Sequence, residues 1–301
     1  MTGVFVTGAT GTVGSAVVQH LLARGERVVA AVRQSQAAHR LPEAVEVREF
    51  SFGMSPEELA RCMSGTDRLF LMRPPQVTDV KTFMFPVVDV ARQLGMRQVV
   101  FLSLQGVQAN RRTPHHAVEA YLRRVDAPYT FLRPNFFMQN LSAVYADQIR
   151  DTGEIVVPAG RSRTAFIDAR DIGKVAATVL SVDGHLRRAY TLSGEQSLTY
   201  FKVAEIMSRV LGRPIHYTRP SEADYLDALA AQGASEEYIA VQKMIYRIVR
   251  LNVSALPNQS VSRLTGDAAT TFETFTYDYQ QVWLPGVATS ASGRGGEPHR
   301  C

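Results

Sequence analysis

The chain has 301 residues, 46% of them hydrophobic, enough to bury a large core in one large domain or one domain with a smaller partner. Its net charge of +5, from 33 basic and 28 acidic residues, is scattered and includes no basic stripe, which argues against nucleic acid, and no apolar run reaches the ~18 residues of a membrane span. Cys62 and Cys301 are too few for a disulfide framework and no charged-then-apolar leader opens the chain, so a cytoplasmic protein is expected.

In chain order, β-rich runs alternate with helical patterns. "GVFVTG" precedes "SAVVQHLLARG", "RVVAAVR" a short helix-compatible run through Leu41, and "VEVREF" the helical "SPEELARCMSG". "RLFLMR" then precedes "TFMFPVVDVARQLG", "QVVFLSL" precedes "PHHAVEAYLRRV", and "YTFLRP" follows. Strands this apolar are covered on both faces, and their alternation with helices calls for parallel pairing through crossovers. The expected fold class is α/β, a Rossmann-like doubly wound parallel sheet. Past about residue 150 isolated strands mix with helices, ending in the helical "EEYIAVQKMIYRIVRLNV". The expected division is a nucleotide-binding domain over 1–152, with part of 161–185 packing back on it, a smaller α/β substrate-binding lobe over 153–285, and a flexible tail over 286–301.

The join between the first strand and first helix reads "VTGATGTVG". Gly8 makes the sharp turn, Gly11 lets phosphate oxygens approach the backbone at a helix N-terminus, and Gly14 lets the helix press on the sheet. The triplet follows a strand, opens a helix and begins a βαβ unit, so it is expected to be a pyrophosphate site, a tight turn serving only packing being the alternative. The second strand ends in Arg33, with Gln34 and Ser35 behind it, where an NAD site places an acidic residue about 20 residues past the glycines. An arginine there suits a 2′-phosphate, so NADP(H) is the expected cofactor.

Two further stretches carry candidate chemistry. In "RTPHHAVEAYLRRV", Thr113 reads as an N-cap and Pro114 as the first helical residue, with His115 in the first turn. His115 aims at the sheet, Glu119 one turn on is placed to orient it, and the helix dipole favours a neutral imidazole that donates one hydrogen bond. It is the candidate catalytic residue, a histidine bonded to backbone being the alternative, and His116 is expected to face outward. The histidines show no metal-ligand spacing, so no metal is expected. "RPNFFMQN" leaves the sheet at its C-terminal edge with an apolar wall and polar amides, suited to a flat aromatic substrate, with lobe core as the alternative. The last long helix offers Tyr238, Met244 or Tyr246 to close the pocket.

"GATGTVG", "AAVR", "DRLFLMRPP", "VVFLSLQG", "PHHAVEAYLRR", "YTFLRPNFFMQN" and "AFIDARDIGKVAA", in this order, resemble the NmrA-like family of atypical short-chain dehydrogenases/reductases. The resemblance runs over about residues 2–285 and is nearest to the branch of triphenylmethane reductases and type 2 quinone oxidoreductases. It implies cofactor contacts at Gly8, Thr10, Gly11, Thr12, Val13, Arg33, Arg73, Ser103, Leu104 and the segment Pro134, Asn135, Phe136, with Gly14 of the glycine turn beside them; the candidate substrate contacts are Gln105, Phe137, Met138, Asn140 and Tyr246. Many relatives carry an Asp that reaches the adenine where this chain has Ser51, and some carry an active-site lysine where it has Ala117. No tyrosine here has a lysine four residues on, so the proton-delivering Tyr-x-x-x-Lys pair of ordinary short-chain dehydrogenases is missing. The expected activity is therefore NADPH-dependent reduction of a conjugated, planar and apolar small molecule, quinone- or enone-like. The alternatives are an NADP-binding redox sensor without turnover and a non-redox, isomerase-type enzyme. A homodimer is compatible with this reading.

Overall fold

The structure, a computed structural model, describes residues 2–34 and 39–285, and all counts and absences below are of those residues. Ser35 and the proposed tail lie outside them. The chain divides into two compact units. The first comprises residues up to Pro134, Ala169–Leu192 and Ser260–Asp267; the second comprises Asn135–Asp168, Ser193–Gln259 and the residues from Ala268 on.

The first unit opens with β1 (Val4–Val6), α1 (Thr12–Ala23), β2 (Val28–Val32), β3 (Glu46–Glu49), α2 (Pro56–Met63) and β4 (Arg68–Met72). It continues with α3 (Val80–Phe83), α4 (Phe85–Gln93), β5 (Gln98–Leu102), α5 (Pro114–Arg124) and β6 (Tyr129–Pro134). Every residue of β1, β2 and β5 is buried, as strands covered on both faces must be. Local chemistry sets the helix starts: Ser55 and Glu58 form a reciprocal capping box on α2, and Thr113 Oγ1 accepts the His116 amide of α5 at 3.2 Å. No α-helix forms in the described part of the run leading to Leu41.

Chain order then passes through the second unit's α6 (Gln139–Ser142), α7 (Ala146–Thr152), β7 (Glu154–Ile155) and β8 (Arg163–Thr164) before α8 (Ala169–Ser181) and β9 (Arg188–Leu192) return to the first. With β9 the sheet has seven parallel strands in the order β3-β2-β1-β4-β5-β6-β9. Helix α8 packs on α1 so closely that a Cβ built on Gly173 would lie 2.5 Å from the Ala16 Cβ.

The division at Pro134 corrects the expected one at 152. "NFFMQN" already belongs to the second unit, where the Met138 amide donates to the Ile167 carbonyl at 2.9 Å and Phe137 bridges to Ile167. That unit also holds β10 (Leu198–Thr199), α9 (Tyr200–Leu211), β11 (His216–Tyr217), α10 (Glu222–Ala231) and α11 (Glu236–Arg250). Helix α12 (Ser260–Thr265) belongs to the first unit and α13 (Phe272–Asp278) again to the second. Its sheets are two-stranded pairs, β8 with β10 and β7 with β11, and its core mixes aromatic and aliphatic side chains. Trp283, Phe272 and Phe275 are fully buried there, and the Trp283 indole donates to the Leu141 carbonyl at 2.9 Å. No helix is long and apolar enough to cross a membrane.

Candidate functional site

The strand order of the first unit reverses between β1 and β4, and in such sheets ligands bind beyond the carboxyl ends of the strands at that point. Thr7 fixes the two strand ends together: its hydroxyl donates to the Phe70 carbonyl at 3.0 Å and accepts the Met72 amide at 2.8 Å. Gly8 follows at φ +65°, a conformation side chains resist, with the Met72 methyl 2.1 Å from where its Cβ would be. Gly11, the N-cap of α1, brings no side chain to its free amides, and the first turn carries no acidic residue. The positive end of the helix dipole is left for an external anion. A Cβ on Gly14 would lie 2.0 Å from the Gly8 carbonyl oxygen, so this glycine seats the helix on the turn itself; the expected contact with the sheet is corrected accordingly. Thr10 is half-buried and Thr12 exposed, while the Val13 side chain is core.

Arg73, directly after β4, gives one guanidinium nitrogen to the carbonyls of Pro74, Pro75 and Val77 at 3.0, 2.8 and 2.7 Å. Its Nε is buried without a hydrogen-bond partner, and none of the ion pairs between described residues involves it. Burial alone pulls its pKa down, so its cation is held at a cost that a bound anion would relieve. Arg33 and Gln34 are exposed just beyond β2. These features fit a dinucleotide: a bare helix terminus, a sharp glycine turn and a cation without a carboxylate. Ser51 is exposed beyond β3 and its hydroxyl accepts the Gly53 amide at 3.4 Å.

At the ends of β5 and β6 lies a buried ionic cluster. Glu119 is 1% exposed and receives the Ser103 hydroxyl at 2.7 Å, the Arg133 guanidinium at 2.9 and 2.6 Å, and Arg123 at 3.0 Å. Glu119 therefore orients Ser103 and not His115, because the deeply buried Arg133 needs a carboxylate more than a neutral imidazole does. Leu104 and Gln105 are half-buried after β5, with the Gln105 amide donating to the Pro134 carbonyl at 3.0 Å.

His115 is half-buried with its ring 6.0 Å from that of Phe101, and its side chain makes no hydrogen bond to the described residues. Burial pushes its pKa down to about 3, with the Arg73 charge adding to the effect. The imidazole is thereby held neutral, with burial as the first cause and the Arg73 charge as the second. The backbone-bonded histidine is His116, whose Nδ1 lies 3.1 Å from the Val107 carbonyl oxygen; it is half-buried and does not face outward.

The second unit contains a cavity of about 50 Å³ with Phe136, Phe137, Asn140, Tyr145, Phe166 and Tyr246 in its lining. Three expected substrate residues, Phe137, Asn140 and Tyr246, are thus brought together, and Phe136, expected at the cofactor, lines this cavity too. Met138 does not: it is 2% exposed and packed in the core. Asn135 uses its side chain within the unit, donating to the Ser254 carbonyl and accepting the Phe136 amide, both at 2.8 Å, so the amide expected to reach a cofactor is committed elsewhere. On α11, Gln242, Tyr246 and Val249 form the buried stripe, while Met244 is exposed. Tyr145, Tyr200, Phe166 and Gln242 escaped the sequence reading because they lie on separate elements and share no local spacing.

Over residues 2–275 the sequence matches the NmrA-like family. The chain belongs to that family. It is 30% identical to the NAD(P)H azoreductase of Xenophilus azovorans over 90% of this chain and 96% of that one. It is also 30% identical to the (4-alkanoyl-5-oxo-2,5-dihydrofuran-3-yl)methyl phosphate reductase of Streptomyces griseus, over 94% and 99% respectively. Among solved structures, the Citrobacter sp. triphenylmethane reductase complexed with NADP(H) superposes with a TM-score of 0.80 at 26% identity, covering 90% of this chain and 98% of that one.

Proposed function

We propose that this NmrA-like oxidoreductase is an NADPH-dependent reductase of planar, conjugated small molecules, quinone- or enone-like. The observation that carries the reading is the ring wall of Phe136 and Phe137 on a cavity that contains no lysine. Without a lysine-tuned tyrosine, proton delivery to a plain ketone as hydride arrives is unassisted, whereas a conjugated acceptor spreads the incoming charge. The relatives support this breadth, since an azo compound, a dihydrofuranone and a triphenylmethane dye share extended conjugation.

NADPH, when bound, supplies the hydride. The amides of the Gly8–Gly14 turn and the Arg73 guanidinium hold the phosphates, and Arg33 takes the 2′-phosphate. Ser103, fixed by Glu119, orients the reactive end of the nucleotide together with Leu104 and Pro134. His115 is an auxiliary hydrogen-bond donor.

One observation favours a second reading, a redox sensor that binds NADP(H) without turnover. At about 50 Å³ the cavity is below the roughly 150 Å³ that holds a benzene molecule, so side chains already fill much of it. Anaerobic stopped-flow mixing of NADPH-loaded protein with quinones, enones and plain ketones separates the two. Fast NADPH oxidation by the conjugated compounds and slow oxidation by plain ketones is the expected result. Silence across the panel would favour the sensor, and fast turnover of plain ketones would refute the mechanism.

A further inference from the structure

Tyr145 and Tyr246 meet hydroxyl to hydroxyl at 2.5 Å in the lining of the second unit's cavity. Tyr200 is hydrogen-bonded to Tyr246 and Tyr225 to Tyr145, and the Tyr225 hydroxyl donates to the Gln242 side-chain oxygen at 3.2 Å. A phenol has one proton to give, so the last bond of this chain sets the direction of all the others. Tyr225 gives its proton to Gln242; Tyr145 therefore donates to Tyr225, Tyr246 to Tyr145 and Tyr200 to Tyr246. All four protons are spent within the chain. Burial holds the Tyr145, Tyr200 and Tyr246 phenols above their ordinary pKa, so they are also neutral. A guest in the cavity thus meets the rings of Phe136, Phe137 and Phe166, the side chains of Leu141, Val144 and Ile245, and hydroxyls with no proton left to offer. Half-buried Asn140 and Val144, which is 39% exposed, form its mouth.

We propose that this cavity is a pocket for a short alkyl substituent of the acceptor, about two carbons long, and that it selects among conjugated molecules by that substituent. This rests on the reading of the chain as a reductase of conjugated acceptors and adds what the acceptor carries. A carbonyl entering the cavity would give up its hydrogen bonds to water and find no donor, whereas an alkyl group gains by leaving water. Volume sets the length. A cavity of about 150 Å³ holds the six carbons of benzene, roughly 25 Å³ for each, so the 50 Å³ here holds about two. Further carbons would have to displace Phe166 and Tyr200, which are 3% and 4% exposed in a closely packed core. Tyr200 and Tyr246 cannot turn away one at a time, because each movement breaks the hydroxyl chain, and this makes the limit on length sharp.

The test titrates the full chain without nucleotide with 1,4-naphthoquinones that carry hydrogen, methyl, ethyl, propyl or butyl at one ring carbon, following quenching of Trp283, the one tryptophan. Each carbon up to ethyl should lower the Kd about 4-fold, and butyl should bind no better than ethyl. Ile245→Ala widens the cavity from its α11 side and should move the optimum to butyl, with near-UV circular dichroism checking its fold. In crystals of the unaltered chain, xenon under pressure should occupy the cavity. A Kd that keeps falling through butyl, a Kd indifferent to chain length, no binding of any member, or an ordered water held by a tyrosine hydroxyl in place of xenon would each overturn the pocket. With NADPH present, kcat/KM should peak at the same chain length as binding. Length-selective binding without NADPH oxidation would retain the pocket and discard the reductase. NADPH oxidation indifferent to length would do the reverse, so the two ideas fail separately.

Discussion

The two units store binding information in different materials. In the first, the machinery is mostly backbone: a glycine turn, free helix amides and strand ends clamped by Thr7, supplemented by Arg73. In the second it is side chains gathered from separate elements around a small aromatic cavity, with helices and two-stranded pairs as scaffold. Backbone machinery suits a ligand that a whole family shares, because glycines and amides tolerate little variation. A side-chain cavity can be recut without disturbing the sheet, which suits a family whose members reduce different acceptors.

Glycine substitutions break that comparison most severely. Gly14→Val drives side-chain atoms into the Gly8 carbonyl, and should cost about 4 kcal/mol or more in urea unfolding, whereas Gly11 has its nearest obstacle, the same carbonyl, at 3.3 Å. Gly11→Val should therefore fold and yet weaken NADPH binding by about 100-fold or more in calorimetry, about 2.7 kcal/mol. Equal stability for the two variants would mean that the glycines do not divide into a packing and a binding position. In the same unit, Glu119→Ala leaves Arg133 buried without its partner and should cost about 3–5 kcal/mol of stability by urea titration.

The binding effects of charge are smaller. Arg33→Ala should reduce the preference for NADPH over NADH by about 1–3 kcal/mol, measured as the ratio of the two Kd values. Smallest is His115, where a substitution to Gln should slow turnover by less than the roughly 10² expected for a true general acid. Its folded pKa of about 3 lies below the unfolded value of 6.5, so the unfolded chain takes up a proton that the folded chain refuses. Stability is then fully present above pH 6.5 and is lost as pH falls toward 3, and His115→Gln should flatten that slope in a pH series of urea titrations.

The same contrast explains what was legible in the sequence. Strand–helix alternation, "VTGATGTVG" and the NADP-like strand end at Arg33 are local patterns, and they mark out the sheet of the first unit and its nucleotide turn. Glu119 was found at the right place and given the wrong partner, because helical spacing tells which residues share a face and not which buried charge competes for them; Gly14 likewise, because its close neighbour is the backbone of the turn two glycines earlier. The return of β9 to the sheet was hidden because "RRAYTL" is short and follows a long excursion. "NFFMQN" was legible as an aromatic segment, yet the same stretch contributes Met138 to the core and Phe137 to the cavity, a distinction set by tertiary packing. Tyr145, Tyr200 and Gln242 had no local signal.

The proposed reductase stands or falls on direct passage of hydride from NADPH to a conjugated acceptor. It is tested most directly in a single turnover with NADPH deuterated at the transferable position of the nicotinamide and a conjugated enone, following NADPH absorbance and the mass of the product. Direct transfer gives slower NADPH decay with the label and a product carrying deuterium at the carbon that receives hydride. Deuterium absent from that carbon, or no oxidation of NADPH by the enone, would contradict it.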